Sequence, residues 1–376
     1  MCTKNVVKAE SHYAYSLAAA WISATFAPLR GYPALPARPG IVLSCTMKVG
    51  IIGTGWVTEK HLAALKQIES AEVVAIAGRN QARAGELAAP FGAKTYESYL
   101  PMLERESLDA VFILLPPHLH GELERACAEH VGAVLIEKPI TTSLEQAQEI
   151  NGYFKQAGTL VSVGYQNRYL APVQRACDCF SAESPGIMAN GWWIEEMPPP
   201  PWWRRFEQSG GQFVEQCTHF VDLSRYLMGE ISEVSAYRTK GFMKEVPDFN
   251  VDDAMVVNLR FESGALGSFC TACFPVGNFA NCGISLNLST RQHRVVFETW
   301  DFKGKLYSGD GTVNELPTGE DPFLLQARAF LQSVAAKDGS AILSNYEDAM
   351  QTLAVTLAAN QSAREQDGAP VPVSGI

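Results

Sequence analysis

No apolar run in the 376 residues reaches the roughly 18 needed to cross a membrane as a helix, so no spanning segment is expected. Basic charge is also short. Thirty Lys and Arg stand against 40 Asp and Glu, a formal net charge of −10. Nucleic-acid affinity rests largely on phosphate contacts, so a chain without a basic footprint is not expected to bind nucleic acid. A regular cysteine framework is missing too: nine cysteines, an odd number, are scattered along the chain. That excludes a secreted disulfide scaffold, and the expected location is cytoplasmic. Cys270 and Cys273 form a CxxC within the strand-like run GSFCTACF. Residues three apart on a strand point to opposite faces, so both are read as small buried hydrophobes and no metal site is expected. No internal repeat is visible, and no low-complexity tract beyond Pro198–Pro201.

What is present is ordinary globular composition, 47% apolar and 19% charged, over a length that suits two or three domains. Residues 1–46 stand apart. Their run AYSLAAAWISATFAP follows Lys4 and Lys8 and reads either as a poor signal peptide or as an upstream extension with Met47 as the true start. The extension is preferred, because MKVGIIGTG opens on a strand as a dinucleotide-binding chain does.

From Lys48, short apolar runs alternate with amphipathic helices. KVGIIG, EVVAIAG, DAVFILLPP, GAVLIEKP and LVSVGYQ read as strands. TEKHLAALKQI, QARAGELAAPFG, LHGELERACAEH and TSLEQAQEINGYFKQAG read as the helices between them. Near-continuous apolar strands alternating with helices predict a doubly wound parallel sheet, a Rossmann domain over residues 47–165. After Tyr165 the strands follow one another, with ESG and STRQ as hairpin turns. Residues 166–376 are therefore expected to form an α+β domain on a large, mainly antiparallel open sheet, for substrate binding and oligomerisation. One face would lie on the domain's own helices. AMVVNL and GSFCTACFPV lack the clean polar alternation that water on the other face would select, which predicts a homodimer or homotetramer.

Gly53 and Gly55 stand where the first strand turns into the first helix. There the backbone must turn tightly and approach a pyrophosphate, which the helix N-terminus attracts. A lone GxG is weak, but a strand before it, a helix after it and a second strand beyond favour dinucleotide binding over a mere turn. Thr58 replaces the third glycine of GxGxxG and is expected to loosen helix–strand packing. The second strand ends in AGRN, with no acidic residue for a ribose 2′-hydroxyl. Arg79 suits a 2′-phosphate, so NADP is preferred to NAD; the alternative is a solvated arginine.

Several motifs together resemble one family, the glucose–fructose oxidoreductase, inositol dehydrogenase and rhizopine-catabolism (Gfo/Idh/MocA) oxidoreductases. They are GIIGTGWVTEKH, VFILLPPHLHGEL, LIEKPI, VGYQNRY, GGQFVEQCTHFVDL, VDDAMVVNLRFESGALGSF and NYEDAMQTLAVTLAANQSA. The resemblance spans residues 48 to about 373. It implies a cofactor held at Gly53, Gly55, Trp56 and Val57 on the first turn, and at Arg79 and Asn80 after the second strand. It further implies Leu115, Pro116 and His120 after the third strand, and Glu137 and Lys138 of the EKP motif. Lys138 and His219 would be the catalytic pair, and Arg168 would lie near the substrate. Many members carry Asp four residues before the catalytic His. Here it is Glu215, so the substrate cannot be copied from better-known members.

The chemistry suits these residues. Oxidising a secondary alcohol requires a base for the hydroxyl proton, and His219 has an ordinary pKa near neutrality. Glu215, four residues earlier, is expected on the same helical face, to orient the imidazole or to bind an adjacent hydroxyl. Lys138, at the rim of a parallel strand, can stabilise a developing alkoxide. Taken alone, His219 would be a capped or core histidine and Lys138 a solvated one. His118 is read as solvated and His61 as a helix-packing residue. Trp192, Trp193, Trp202 and Trp203, with Arg204 and Arg205, crowd the segment before Gly210. Their aromatic faces suit the apolar side of a sugar ring, with Trp202 and Trp203 taken as the substrate contacts, and the arginines suit an acid or phosphate group; the plainer reading is core or interface packing. The expected activity is an NAD(P)-dependent dehydrogenase or reductase acting on a sugar, cyclitol or related polyol. A glycosidase using its nicotinamide transiently and a non-catalytic nucleotide sensor are the rivals.

Overall fold

The computed structural model describes residues 46–273 and 283–373. Almost all of the proposed N-terminal extension lies outside them. The first sheet contains β1 (Met47–Ile52), β2 (Ala71–Ala77), β3 (Lys94–Tyr96), β4 (Ala110–Ile113), β5 (Ala133–Ile136) and β6 (Leu160–Val163). All neighbours are parallel, in the order β3-β2-β1-β4-β5-β6. Every residue of AVFI in β4 and AVLI in β5 is buried, as strands covered on both faces require. The helix Leu144–Ala157 shows how sequence punctuates this half. The Ser143 hydroxyl accepts from the Gln146 N–H at its start, and Gly158 closes it at φ 69°. Strand order reverses between β1 and β4, so the loops after them part and leave a crevice.

The second sheet holds β7 (Met188–Ile194), β8 (Ile231–Thr239), β9 (Ala254–Phe261), β10 (Leu266–Ala272), β11 (Ile284–Ser289), β12 (His293–Glu298), β13 (Lys303–Ser308), β14 (Val313–Leu316) and β15 (Val371–Pro372). Its order is β14-β13-β12-β11-β7-β10-β9-β8-β15. Only the β7–β10 pairing is parallel, so the sheet is mixed but mostly antiparallel. Along β9, Met255, Val257, Leu259 and Phe261 face the core while Val256, Asn258 and Arg260 face out. The inner face packs on the helix Thr218–Met228 and on the later part of the helix Tyr346–Glu365.

The division at residue 165 is not clean in space. The helix Pro322–Ala336 returns to the Rossmann half, where Ala327, Phe330 and Leu331 join β1 and β2 in one apolar cluster. Tyr346, Ala349, Met350 and Leu353 cover the opposite face of the same sheet. A parallel sheet must be covered on both sides, and here the end of the chain supplies part of the cover. The short elements β3, β14, β15 and the helix Tyr99–Arg105 were not anticipated, because each is too brief to show a period. Of the CxxC cysteines, Cys273 is buried as expected, but Cys270 points out from β10 and is exposed.

Candidate active site

Gly53 follows β1 at φ 122°, and a Cβ there would lie 2.3 Å from the Leu114 carbonyl oxygen. Only glycine fits. Thr58 is buried, and its hydroxyl donates to the Gly53 carbonyl at 3.2 Å. It therefore ties the helix Trp56–Leu65 to β1 instead of loosening it, correcting the expectation for the missing third glycine. At Gly55 nothing lies within 4 Å of an added Cβ, and φ is −74°. No internal contact demands glycine there, so the open space suits a group approaching from outside the chain. The N-terminus of the helix carries no side-chain cap, which leaves N–H groups for an anion. Trp56 is exposed and Val57 half-buried on that first turn. Arg79 and Asn80 are exposed beyond β2, where the Asn80 side chain caps the helix Gln81–Ala88 by accepting from the Arg83 N–H. Leu115 and Pro116 are half-buried on the loop after β4, with the Leu115 side chain close against Gly53. This arrangement fits a dinucleotide.

At the rim of β5, the Lys138 ammonium donates to the Glu215 carboxylate at 2.9 Å and to the Glu215 carbonyl at 2.7 Å. The other carboxylate oxygen of Glu215 accepts from the Trp203 indole N–H at 2.8 Å. Among the described residues no hydrogen bond joins Glu215 to His219, so the first of its two expected roles, orienting the imidazole, is not seen. The helix Gln212–Glu215 ends, the backbone is displaced at Gln216, and a new helix, Thr218–Met228, carries His219. The His219 ring instead stacks on Trp193, with centroids 6.1 Å apart at 16°, and meets Tyr165 edge-on at 6.1 Å. The Tyr165 hydroxyl pairs with Thr218 at 2.8 Å. Burial, helped by the positive charge of Lys138, pushes the His219 pKa well below the usual 6.5. The ring is neutral near pH 7. Its Nδ1 is buried with no hydrogen-bond partner among the described residues.

Two family models cover this frame. Residues 47–165 match the one described as an oxidoreductase family with an NAD-binding Rossmann fold, and residues 187–284 match the GFO/IDH/MocA C-terminal domain. The chain is 30% identical to D-xylose 1-dehydrogenase (NADP(+)) 2 of Haloferax volcanii over 58% of its length and 67% of that protein's. It is 30% identical to myo-inositol 2-dehydrogenase of Thermotoga maritima, over 59% and 67%. The structure superposes on levoglucosan dehydrogenase in complex with NADH and L-sorbose with a TM-score of 0.77 at 20% identity, covering 88% of this chain and all of that one. The chain belongs to the Gfo/Idh/MocA family.

It is an NAD(P)-binding oxidoreductase, a dehydrogenase or reductase, like the family members it matches. Within this Gfo/Idh/MocA frame, four expected contacts fall elsewhere. Arg168, expected near the substrate, is fully buried and bound to Asp222, Asp348 and the Leu343 carbonyl. Trp203 cannot offer its ring to a sugar, being 1% exposed. Glu137 turns inward. Its carboxylate pairs with His61 Nε2 at 2.9 Å and accepts the Lys138 N–H at 3.1 Å, in space that a Cβ on Gly164 would close. His120 has Nδ1 2.5 Å from Glu124 and Nε2 3.3 Å from the Leu115 carbonyl, so its ring braces the loop after β4 instead of facing a ligand. His118 is half-buried, not solvated; its ring lies 6.3 Å from that of Trp202, and burial lowers its pKa. His61 does pack its helix, edge-on to Phe112 and Phe323. The sequence reading assigns no role to Tyr165 and groups Trp193 with the other tryptophans, as a face for a sugar ring or as packing. Strand alternation in GWWI could have separated inward Trp193 from outward Trp192. Among the described residues, no helix is long and apolar enough to cross a membrane.

Proposed function

We propose that this enzyme oxidises a hydroxyl of a sugar, cyclitol or related polyol, or reduces the corresponding carbonyl. The observation that carries the reading is the pairing of an oriented ammonium, Lys138, with a neutral buried imidazole, His219. When bound, the nicotinamide supplies hydride chemistry. The chain supplies the rest. Gly53, Gly55 and the first turn of the helix Trp56–Leu65 hold the dinucleotide phosphates. Lys138 donates to the substrate oxygen and stabilises the charge that develops there. His219 accepts the hydroxyl proton, and the Trp193 ring stacked on it holds the imidazole in place. Trp202, half-buried beside His118, offers an apolar face toward the substrate. Arg79, exposed after β2 with no acidic residue beside it in AGRN, favours NADP. The names of the xylose and inositol dehydrogenases it resembles point to the same substrate class.

The outer face of the second sheet exposes Tyr237, Val256, Leu266, Met188 and Trp192. Exposed apolar side chains at two levels of this face suit a second copy of the chain, and we infer a homodimer or homotetramer. The experiment that tests the activity is a panel of sugars and cyclitols followed by nicotinamide absorbance, with NAD and NADP supplied separately. Turnover of a polyol supports the reading. Product formed with no net cofactor change would replace it with the glycosidase alternative.

A further inference from the structure

We propose that Trp203 is a positioning residue for Lys138, acting through Glu215; this rests on the catalytic reading of Lys138. A lysine ammonium has three N–H donors. Among the described residues two of them go to Glu215, one to its carboxylate and one to its carbonyl. One N–H remains, and its direction is set by the other two. The aim of that last donor therefore depends on where the Glu215 carboxylate sits.

A glutamate carboxylate turns freely about its terminal torsion, which has no sharp minima. Here both its oxygens are assigned. Lys138 takes Oε1 at 2.9 Å and the Trp203 N–H gives to Oε2 at 2.8 Å. The indole itself cannot move far. It is 1% exposed, in an apolar cluster with Val251 and Cys273 that Met197, Trp202 and Phe206 close over. A rigid ring thus fixes one end of a flexible carboxylate, and the carboxylate fixes the ammonium. The extra methylene of Glu215, relative to aspartate, adds a rotatable bond, and the indole N–H removes the freedom it brings. The cluster also ties the strap after β7, through Trp203, to the lysine at the rim of β5.

The test needs no substrate. Acetic anhydride acetylates lysines, and peptide mass spectrometry reads the rate at Lys138 in the whole protein. Trp203→Phe keeps an aromatic ring in the cluster and removes only the donor. Its Lys138 rate should rise at least threefold, with other lysines and the thermal midpoint unchanged. Glu215→Gln should raise the rate too, and adding Trp203→Phe to it should raise it no further. With the best polyol from the panel, Trp203→Phe should lower kcat several-fold and leave the cofactor KM unchanged. An unchanged Lys138 rate in Trp203→Phe overturns the proposal, as do effects that multiply in the double variant. If Trp203→Phe fails to fold, Trp203→His, which keeps a ring N–H, must restore the wild-type rate for the proposal to stand. Wild-type kcat in both Lys138→Ala and Glu215→Gln would remove the catalytic reading itself, whatever the labelling shows.

Discussion

Arg168 and Asp222 meet through two bonds, Nε to one carboxylate oxygen at 2.9 Å and an outer guanidinium nitrogen to the other at 2.6 Å. Neither side chain is exposed to any useful extent. The pair fastens the segment after β6 to the helix that carries His219, three residues from Asp222. Asp348, on the last long helix, joins the same guanidinium at 2.7 Å. Arg168→Leu leaves two buried carboxylates short of a partner. Breaking a buried pair costs about 3–5 kcal/mol, so urea unfolding should show a loss of that order. A loss under about 1 kcal/mol, the range of exposed pairs, would count against this account.

Lys138→Ala should remove most of kcat while cofactor still binds. The lysine donates to the reacting oxygen, but Gly53 and Gly55 hold the phosphates. Titration of nicotinamide fluorescence against the variant gives the affinity, and steady-state rates give kcat. Near-wild-type kcat would refute the role.

The lowered pKa of His219 sets a direction for pH. The folded protein favours the neutral ring, so this group's contribution to stability is complete above 6.5, the unfolded value. It is lost as pH falls below 6.5 toward the folded value. The rate should follow the same ring. kcat/KM should hold from neutrality down past 6.5, then fall as the imidazole gains its proton, and His219→Gln should flatten that limb. A limb centred at or above 6.5 would show that another group titrates.

Arg79→Ala should weaken NADP far more than NAD, because only NADP carries the 2′-phosphate that a guanidinium binds bidentately. Calorimetric titration with each cofactor decides it. Equal losses would show Arg79 to be an ordinary solvated arginine.

Light scattering should give a mass at least twice the 41.0 kDa of one chain. Val256→Asp with Leu266→Asp places charge on the outer sheet face and should lower that mass without unfolding the protein. A wild-type mass near one chain would sink the proposal.

The strands and helices were legible where apolar period and punctuation agreed, as in AVLI of β5 or the Ser143-to-Gly158 helix. The site was legible in part. Lys138 and His219 stand out through motif order, and Gly53 through the turn it must make. Partnerships were not legible, because they join distant residues. Nothing in sequence says that Glu215 turns from His219, four residues away, to Trp203 and Lys138. The break at Gln216 decides that, and it is a tertiary outcome. Arg168 looked like a substrate contact for the same reason: its acceptors come from residues 222, 343 and 348, invisible to local reading.

The helix Tyr346–Glu365 is sunk in two cores at once, its first turns in one and its middle in the other. At 20 residues it is a rod of about 30 Å. Two bodies threaded on one stiff axle cannot swing apart like covers on a spine. Opening wide would drag Met350 or Val355 into water. The relation between the two sheets is therefore set at folding.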